Sequence, residues 1–123
     1  MDAPKPRNFI ELPRFLQSWL RLGLDDEDLA AIQSDIIQNR EHHPVVPGSD
    51  GFRKVRFGRA GHGKSGGVRV YYVDSERFGI IILGAVYAKS SRTDLTKSEL
   101  KNLVAEYRAV LDILETSHAD RNR

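Results

Sequence analysis

The chain has no cysteine among its 123 residues. That absence excludes a disulfide scaffold, a thiol nucleophile and any zinc site built on thiolates. No apolar run approaches the roughly 20 residues that a membrane helix needs, and no signal peptide opens the sequence. The expectation is a soluble, cytoplasmic protein. Internal repeats and low-complexity segments are lacking too. Acidic residues are scarce in the middle, where residues 51–92 hold only Asp74 and Glu76 against nine lysines and arginines. Residues 1–50 reverse the balance with nine acidic side chains against five basic ones, and the whole chain nets +2. A cationic middle held between less basic flanks points to a surface for a polyanion.

What is present is enough for one hydrophobic core and not for two. The expected organisation is a flexible arm over residues 1–8, one domain over 9–116 and a flexible tail over 117–123. A short strand is expected at Phe9–Leu12. Pro13 suits the first position of a helix, and Phe15, Leu16, Trp19 and Leu20 fall on one face of it. Gly23 ends that helix. Asp25 caps the next one, with Asp26, Glu27 and Asp28 in its positive first turn and Leu24 and Leu29 spaced as a hydrophobic staple. The acidic run does not make a metal site, because four consecutive residues point four ways on a helix. His42 and His43 are adjacent in a loop and lack the spacing that puts two imidazoles on one metal.

The period then shifts from 3.6 to 2. Phe52–Phe57, Val68–Val73 and Phe78–Ala88 are rich in Val, Ile, Phe and Tyr and read as three antiparallel strands. A last helix opens on the capping box Thr96–Glu99, stapled by Leu95 and Leu100, with Leu103, Val104, Tyr107, Leu111 and Leu114 along its stripe. The fold class is α+β, two N-terminal helices and a C-terminal helix packed on a small twisted antiparallel sheet.

Residues 58–65, GRAGHGKS, match the phosphate-loop pattern G-x-x-x-x-G-K-[ST]. That loop works only between a buried strand and a helix whose N-terminal amides face the phosphates. Here FRKVRF precedes it and the strand VRVYYV follows, so no nucleotide cofactor is expected. A glycine-rich hairpin that lets backbone approach a phosphodiester, with Arg59 and Lys64 adding charge, fits the residues better.

Strand parity gathers the cations. Lys54 and Arg56 share the face opposite Val55 and Phe57, Arg69 and Tyr71 share a face in the next strand, and Tyr87 and Lys89 do so in the third. Antiparallel pairing can bring Lys54, Arg56, Arg69, Tyr87 and Lys89 into one patch, with Arg53, Arg59, Lys64 and Tyr71 as further candidates for binding RNA phosphate or bases. Guanidinium groups bind phosphate bidentately and aromatic rings stack on unpaired bases.

The segment FRKVRFGRAGHGKSGGVRVYYV, followed by VYAKSSRTDLTKSELKNL, resembles the RelE/ParE superfamily of toxin–antitoxin toxins, and within it the HigB-like branch. FIELPRF and GLDDEDLAAIQ upstream fit that branch as well. The resemblance spans about residues 8–112. It implies an mRNA interferase that cleaves messages on the ribosome without a metal or other cofactor. It also implies a cognate antitoxin, commonly one with a helix-turn-helix domain. Carried over by position, the family's basic sheet residues correspond to Lys54, Arg56, Arg69 and Lys89, with Lys64 in the loop. The departure is at the last strand. Several relatives place an arginine there and a tyrosine near the C-terminus, whereas this chain has Lys89 preceded by Tyr87. Attack of a 2′-OH needs a base, an acid for the leaving 5′-oxygen and cations for the phosphorane. A lysine amid other cations can serve as the base, which favours Lys54. Arg56 and Arg69 would hold the developing charge, and Lys89 or Tyr87 would donate the proton. His62 is a further titrating candidate in the loop. Two alternatives carry other activities: inhibition of DNA gyrase, as in ParE-type members, and RNA binding without turnover.

Overall fold

The structure, a computed structural model, describes the backbone of residues 7–58 and 67–121 and the side chains of all these but 118–121. Strand β1 (Asn8–Glu11) leads into helix α1 (Pro13–Arg21) and helix α2 (Asp26–Asn39). Strands β2 (Arg53–Phe57), β3 (Val68–Ser75) and β4 (Ile80–Ala88) follow, with a 3-10 turn at Glu76–Phe78 between the last two, and then helix α3 (Lys97–Arg121).

The helix starts follow their sequence signals. Pro13 opens α1, where its missing N–H costs nothing. Asp25 caps α2 by accepting from the Asp28 amide at 2.8 Å, while the Asp28 carboxylate accepts from the Asp25 amide at 3.0 Å. Thr96 and Glu99 do the same for α3, at 3.1 and 2.9 Å. The helix then runs to Arg121, past the boundary expected at residue 116.

Glu99 also pairs with Arg92. That guanidinium, with the Thr96 amide, pulls the Glu99 carboxyl from its usual value near 4.5 down to about 2. A carboxyl whose folded pKa is depressed stabilises the fold above its unfolded value, and that stabilisation drains away as pH falls toward the folded one. The cap of α3 is therefore expected to weaken between about pH 4.5 and pH 2. Acid titration of the melting temperature should show a shallower fall over that window in Glu99→Gln, which lacks the titrating group.

The sheet order is β1-β4-β3-β2. β2, β3 and β4 pair antiparallel, as expected, and β1 adds a parallel strand beside β4, so the sheet is mixed. The Asn8 amide donates to Gly79 at 2.9 Å and the Leu12 amide to Leu83 at 3.0 Å, which hold the N-terminal strand at both ends. β4 is central and covered on both faces. Its run IIILGAVYA is accordingly apolar throughout and does not alternate.

One face of the sheet carries α1 and α2. Phe15, Trp19, Ile32 and Ile36 form a core there with Val55, Val70, Tyr72, Ile81 and Leu83. Of the four residues expected on the buried face of α1, Phe15 and Trp19 are buried, but Leu16 is 46% and Leu20 66% exposed. The sheet contacts a narrower stripe than four residues span, and at 100° per residue Leu16 and Leu20 lie outside it. The other face carries α3. There Leu103 and Tyr107 form a second core with Phe52, Tyr71, Val73, Ile82, Ala85 and Tyr87.

β4 needs a bulge to serve both cores. Tyr71 pairs with Ala85 and Tyr72 with Leu83, leaving Gly84 as the extra residue. A Cβ at Gly84 would lie 2.6 Å from Leu103 Cδ1 and 2.7 Å from Phe52 Cε1. Gly84→Val should cost about 1–3 kcal/mol of stability, the range for overpacking a core. Urea denaturation reads it, and a change under ~0.5 kcal/mol would show that Phe52 and Leu103 yield freely.

Candidate functional site

Pairing across β2, β3 and β4 sets the site. Lys54 lies opposite Tyr71, Arg56 opposite Arg69, and Arg69 opposite Tyr87. With strands about 4.8 Å apart, the row Arg56–Arg69–Tyr87 spans about 10 Å. These residues share the α3 face of the sheet, where Tyr71 and Tyr87 belong to the second core. Segment 89–96, between β4 and α3, folds back over them. Tyr87 donates its hydroxyl proton to the Thr93 carbonyl at 2.7 Å, the Leu95 amide donates to the Tyr71 hydroxyl at 3.4 Å, and Lys54 pairs with Asp94. Arg92 sits 5.1 Å over the Tyr87 ring.

Arg56 is exposed, and Lys54, Arg69 and Lys89 are half-buried. Lys89 stands just past β4, with its amide donating to the Gly67 carbonyl at 3.0 Å beside the start of β3. Among the described residues, the buried Nε of Arg69 has no hydrogen-bond partner. A buried, unsatisfied donor is costly unless a ligand completes it, more so on a charged group. Two arginines facing each other across neighbouring strands also repel in the absence of an anion.

Several sequence candidates fall elsewhere. Arg53 lies opposite Tyr72, on the α1–α2 face, and donates to the Glu41 and His43 carbonyls at 3.2 and 2.6 Å. It is therefore outside the cationic row, as an odd position beside Val55 must be. Tyr71 is 1% exposed, so its ring offers no face for a base to stack on. Tyr87 is 5% exposed. Burial first, and then the Tyr71 hydroxyl, raise its pKa well above the usual phenol range. With its proton committed to Thr93, Tyr87 is a structural tie and not a ready acid. Lys54, the candidate base, is engaged as an ammonium with Asp94 and has no lone pair to offer while that pair stands. Arg59, His62 and Lys64 lie outside the described residues. On either side of that loop, Phe57 and Val68 pair as antiparallel neighbours, so the GRAGHGKS segment joins two strands and not a strand to a helix.

Two residues at the site escaped the sequence reading, Asp94 and Arg92. Lys54, and beyond it Arg69 and Tyr71, hold the Asp94 carboxyl below the usual range. An aspartate two residues before a capping threonine reads as helix-start chemistry. Only the fold-back of segment 89–96 turns it toward Lys54. No cluster of three or more metal-ligating side chains occurs among the described residues.

No family model matches the chain. Among solved structures, the fold is similar to that of the E. coli toxin RelE, in a doubly substituted mutant in the free state. The two share a TM-score of 0.54 and 13% identity, over 83% of this chain and 97% of that one. At that identity the likeness is one of architecture: this chain has a RelE-like α+β fold, three helices on a four-stranded mixed sheet.

Proposed function

We propose that this chain is the toxin of a type II toxin–antitoxin pair, of the HigB-like branch, and that it arrests growth by cutting mRNA on the ribosome. The observation that carries the reading is Arg69: a guanidinium whose buried Nε has no partner among the described residues, opposite Arg56 on one side and Tyr87 on the other. A phosphodiester supplies the missing acceptor and relieves the repulsion between the two arginines. The RelE-like fold and the motif pattern read in residues 52–103 support the same conclusion.

In this reading the message's 2′-OH attacks the adjacent phosphorus. A bond forms from O2′ to phosphorus as the P–O5′ bond breaks, leaving a 2′,3′-cyclic phosphate and a 5′-hydroxyl. Arg56 and Arg69 stay charged and hold the equatorial oxygens as negative charge develops. Lys89 is the candidate donor to the leaving oxygen, since Tyr87's proton is committed. The 2′-OH proton passes to solvent water, which reaches the exposed Arg56 end of the row. No metal is needed, and the ribosome supplies the positioning. A cognate antitoxin, with a helix-turn-helix domain as its branch implies, keeps the cytoplasmic toxin inactive.

The test is expression of the chain in a bacterial host without its antitoxin. Growth arrest with new 5′ ends inside translated messages supports the reading. Arrest with cleaved DNA trapped on gyrase and intact messages would replace it with gyrase inhibition.

A further inference from the structure

A cavity of about 350 Å³ opens beside Lys54. The 44–47 segment contributes Pro44 and Pro47 to its wall, the stretch entering α3 contributes Leu95 and Leu100, and Lys54 and Asp94 supply its charged groups. It falls in the size range of small-molecule sites and has their character, apolar walls with a few convergent polar groups. Val45, also in its lining, is an apolar side chain left half exposed. We propose that this cavity is a base-reading pocket for an unpaired guanine next to the phosphate held by Arg56 and Arg69. The proposal rests on the RNA reading above and adds a specificity to it.

Position and chemistry both favour a base here. Lys54 and Arg56 are two residues apart on one strand face, so pocket and phosphate row are separated by about 6–7 Å, within the reach of a single nucleotide. Unpaired RNA bases are read on their Watson–Crick edges once they are splayed out. The pocket presents an ammonium donor beside a carboxylate with two acceptor oxygens. Guanine's edge is O6, an acceptor, followed by N1–H and N2–H, two adjacent donors. Lys54 matches O6, and Asp94 takes both N–H groups side by side. On adenine and cytosine, only the exocyclic amine donates to a carboxylate and a ring acceptor sits next to it. Uracil's single N3–H is flanked by two carbonyls. Each of these sets a lone pair against the second carboxylate oxygen.

The groups are in the right state to do this. Lys54, Arg69 and Tyr71 keep Asp94 ionised and therefore acceptor-only. The Asp94 side chain is more than half exposed and the Lys54 side chain about one-fifth, so a base can reach both without opening the core. Their ion pair keeps the edge assembled before a base arrives. The Asp94 end of the pair is open to solvent, where ion pairs contribute little, so exchange for the guanine edge is accessible.

The experiment titrates GMP, AMP, CMP and UMP separately into the isotope-labelled chain and follows backbone amide shifts by NMR. GMP is expected to bind at least tenfold more tightly than the other three and to move the amides of Val45, Asp94 and Leu95. Asp94→Asn replaces one acceptor by a donor and should erase that preference. Val45→Trp, at an exposed position, should fill the pocket and erase it independently. Equal affinities for the four nucleotides, or a guanine preference that survives both substitutions, would overturn the pocket. If the chain cuts messages with no guanine beside the cut, the pocket fails and the nuclease reading stands. If GMP binds the pocket but no message is cut, the pocket stands and the nuclease reading fails.

Discussion

Arg69→Ala should leave the protein folded and remove its toxicity. The buried Nε of Arg69 has no partner among the described residues, so truncation removes no Nε hydrogen bond to them. The same side chain is the best placed to meet a phosphorane, between Arg56 and Tyr87 on three adjacent strands. Loss of one preorganised donor to a charged transition state typically costs about 100- to 1,000-fold in rate, ~2.7–4 kcal/mol. Growth curves on induction, alongside a circular-dichroism melt, separate the two effects. A variant with an unchanged melting temperature and no growth arrest is the expected result. Full toxicity in a folded Arg69→Ala protein would remove this residue from the site.

Leu103→Ala should have the largest effect on stability. Leu103 is fully buried and, with Tyr107, is the main anchor of α3 on the second core. Leucine-to-alanine changes at such positions cost about 2–5 kcal/mol, depending on how far the cavity collapses. Collapse is hindered here, because the neighbouring atoms belong to the Phe52 ring and the bulged strand at Gly84. For a domain whose whole stability is about 5–15 kcal/mol, the central values put the fall of the urea midpoint at about a third. A loss below ~1 kcal/mol would mean that α3 is held by other contacts. The effect reaches the site as well, since segment 89–96 is strung between β4 and α3 and carries Asp94.

The parts of this structure that the sequence made legible are those governed by local rules. Asp25 and the Thr96–Glu99 box mark helix starts because orphan amides need acceptors within three residues. The period-2 run set Lys54 and Arg56 against Val55 and Phe57, and pairing then joined them to Arg69. Arg53, a sequence candidate for binding RNA, falls on the opposite face, as its parity with Val55 requires. Other features depend on what arrives from a distance. Tyr71 alternates onto the cationic face yet lies in the core, because the stretch before α3 folds over it. β1 adds its parallel strand through pairing across some 70 residues, which no local pattern announces. Gly84 gives the sheet a bulge only because Phe52 and Leu103 converge on it. Asp94 belongs to the site for a reason of the same kind: its partner is 40 residues away in sequence.

RNA cleavage by the cationic face is tested most directly in a purified translation system. The wild-type chain and Arg69→Ala are each added to ribosomes translating a defined message, and the 5′ ends of all RNA fragments are mapped. The wild-type protein should generate internal cuts carrying 5′-hydroxyl ends on the translated message, with Arg69→Ala lowering their yield by about 100-fold or more. An intact message in the presence of wild-type protein, or cuts made equally by both proteins, would contradict cleavage at this face.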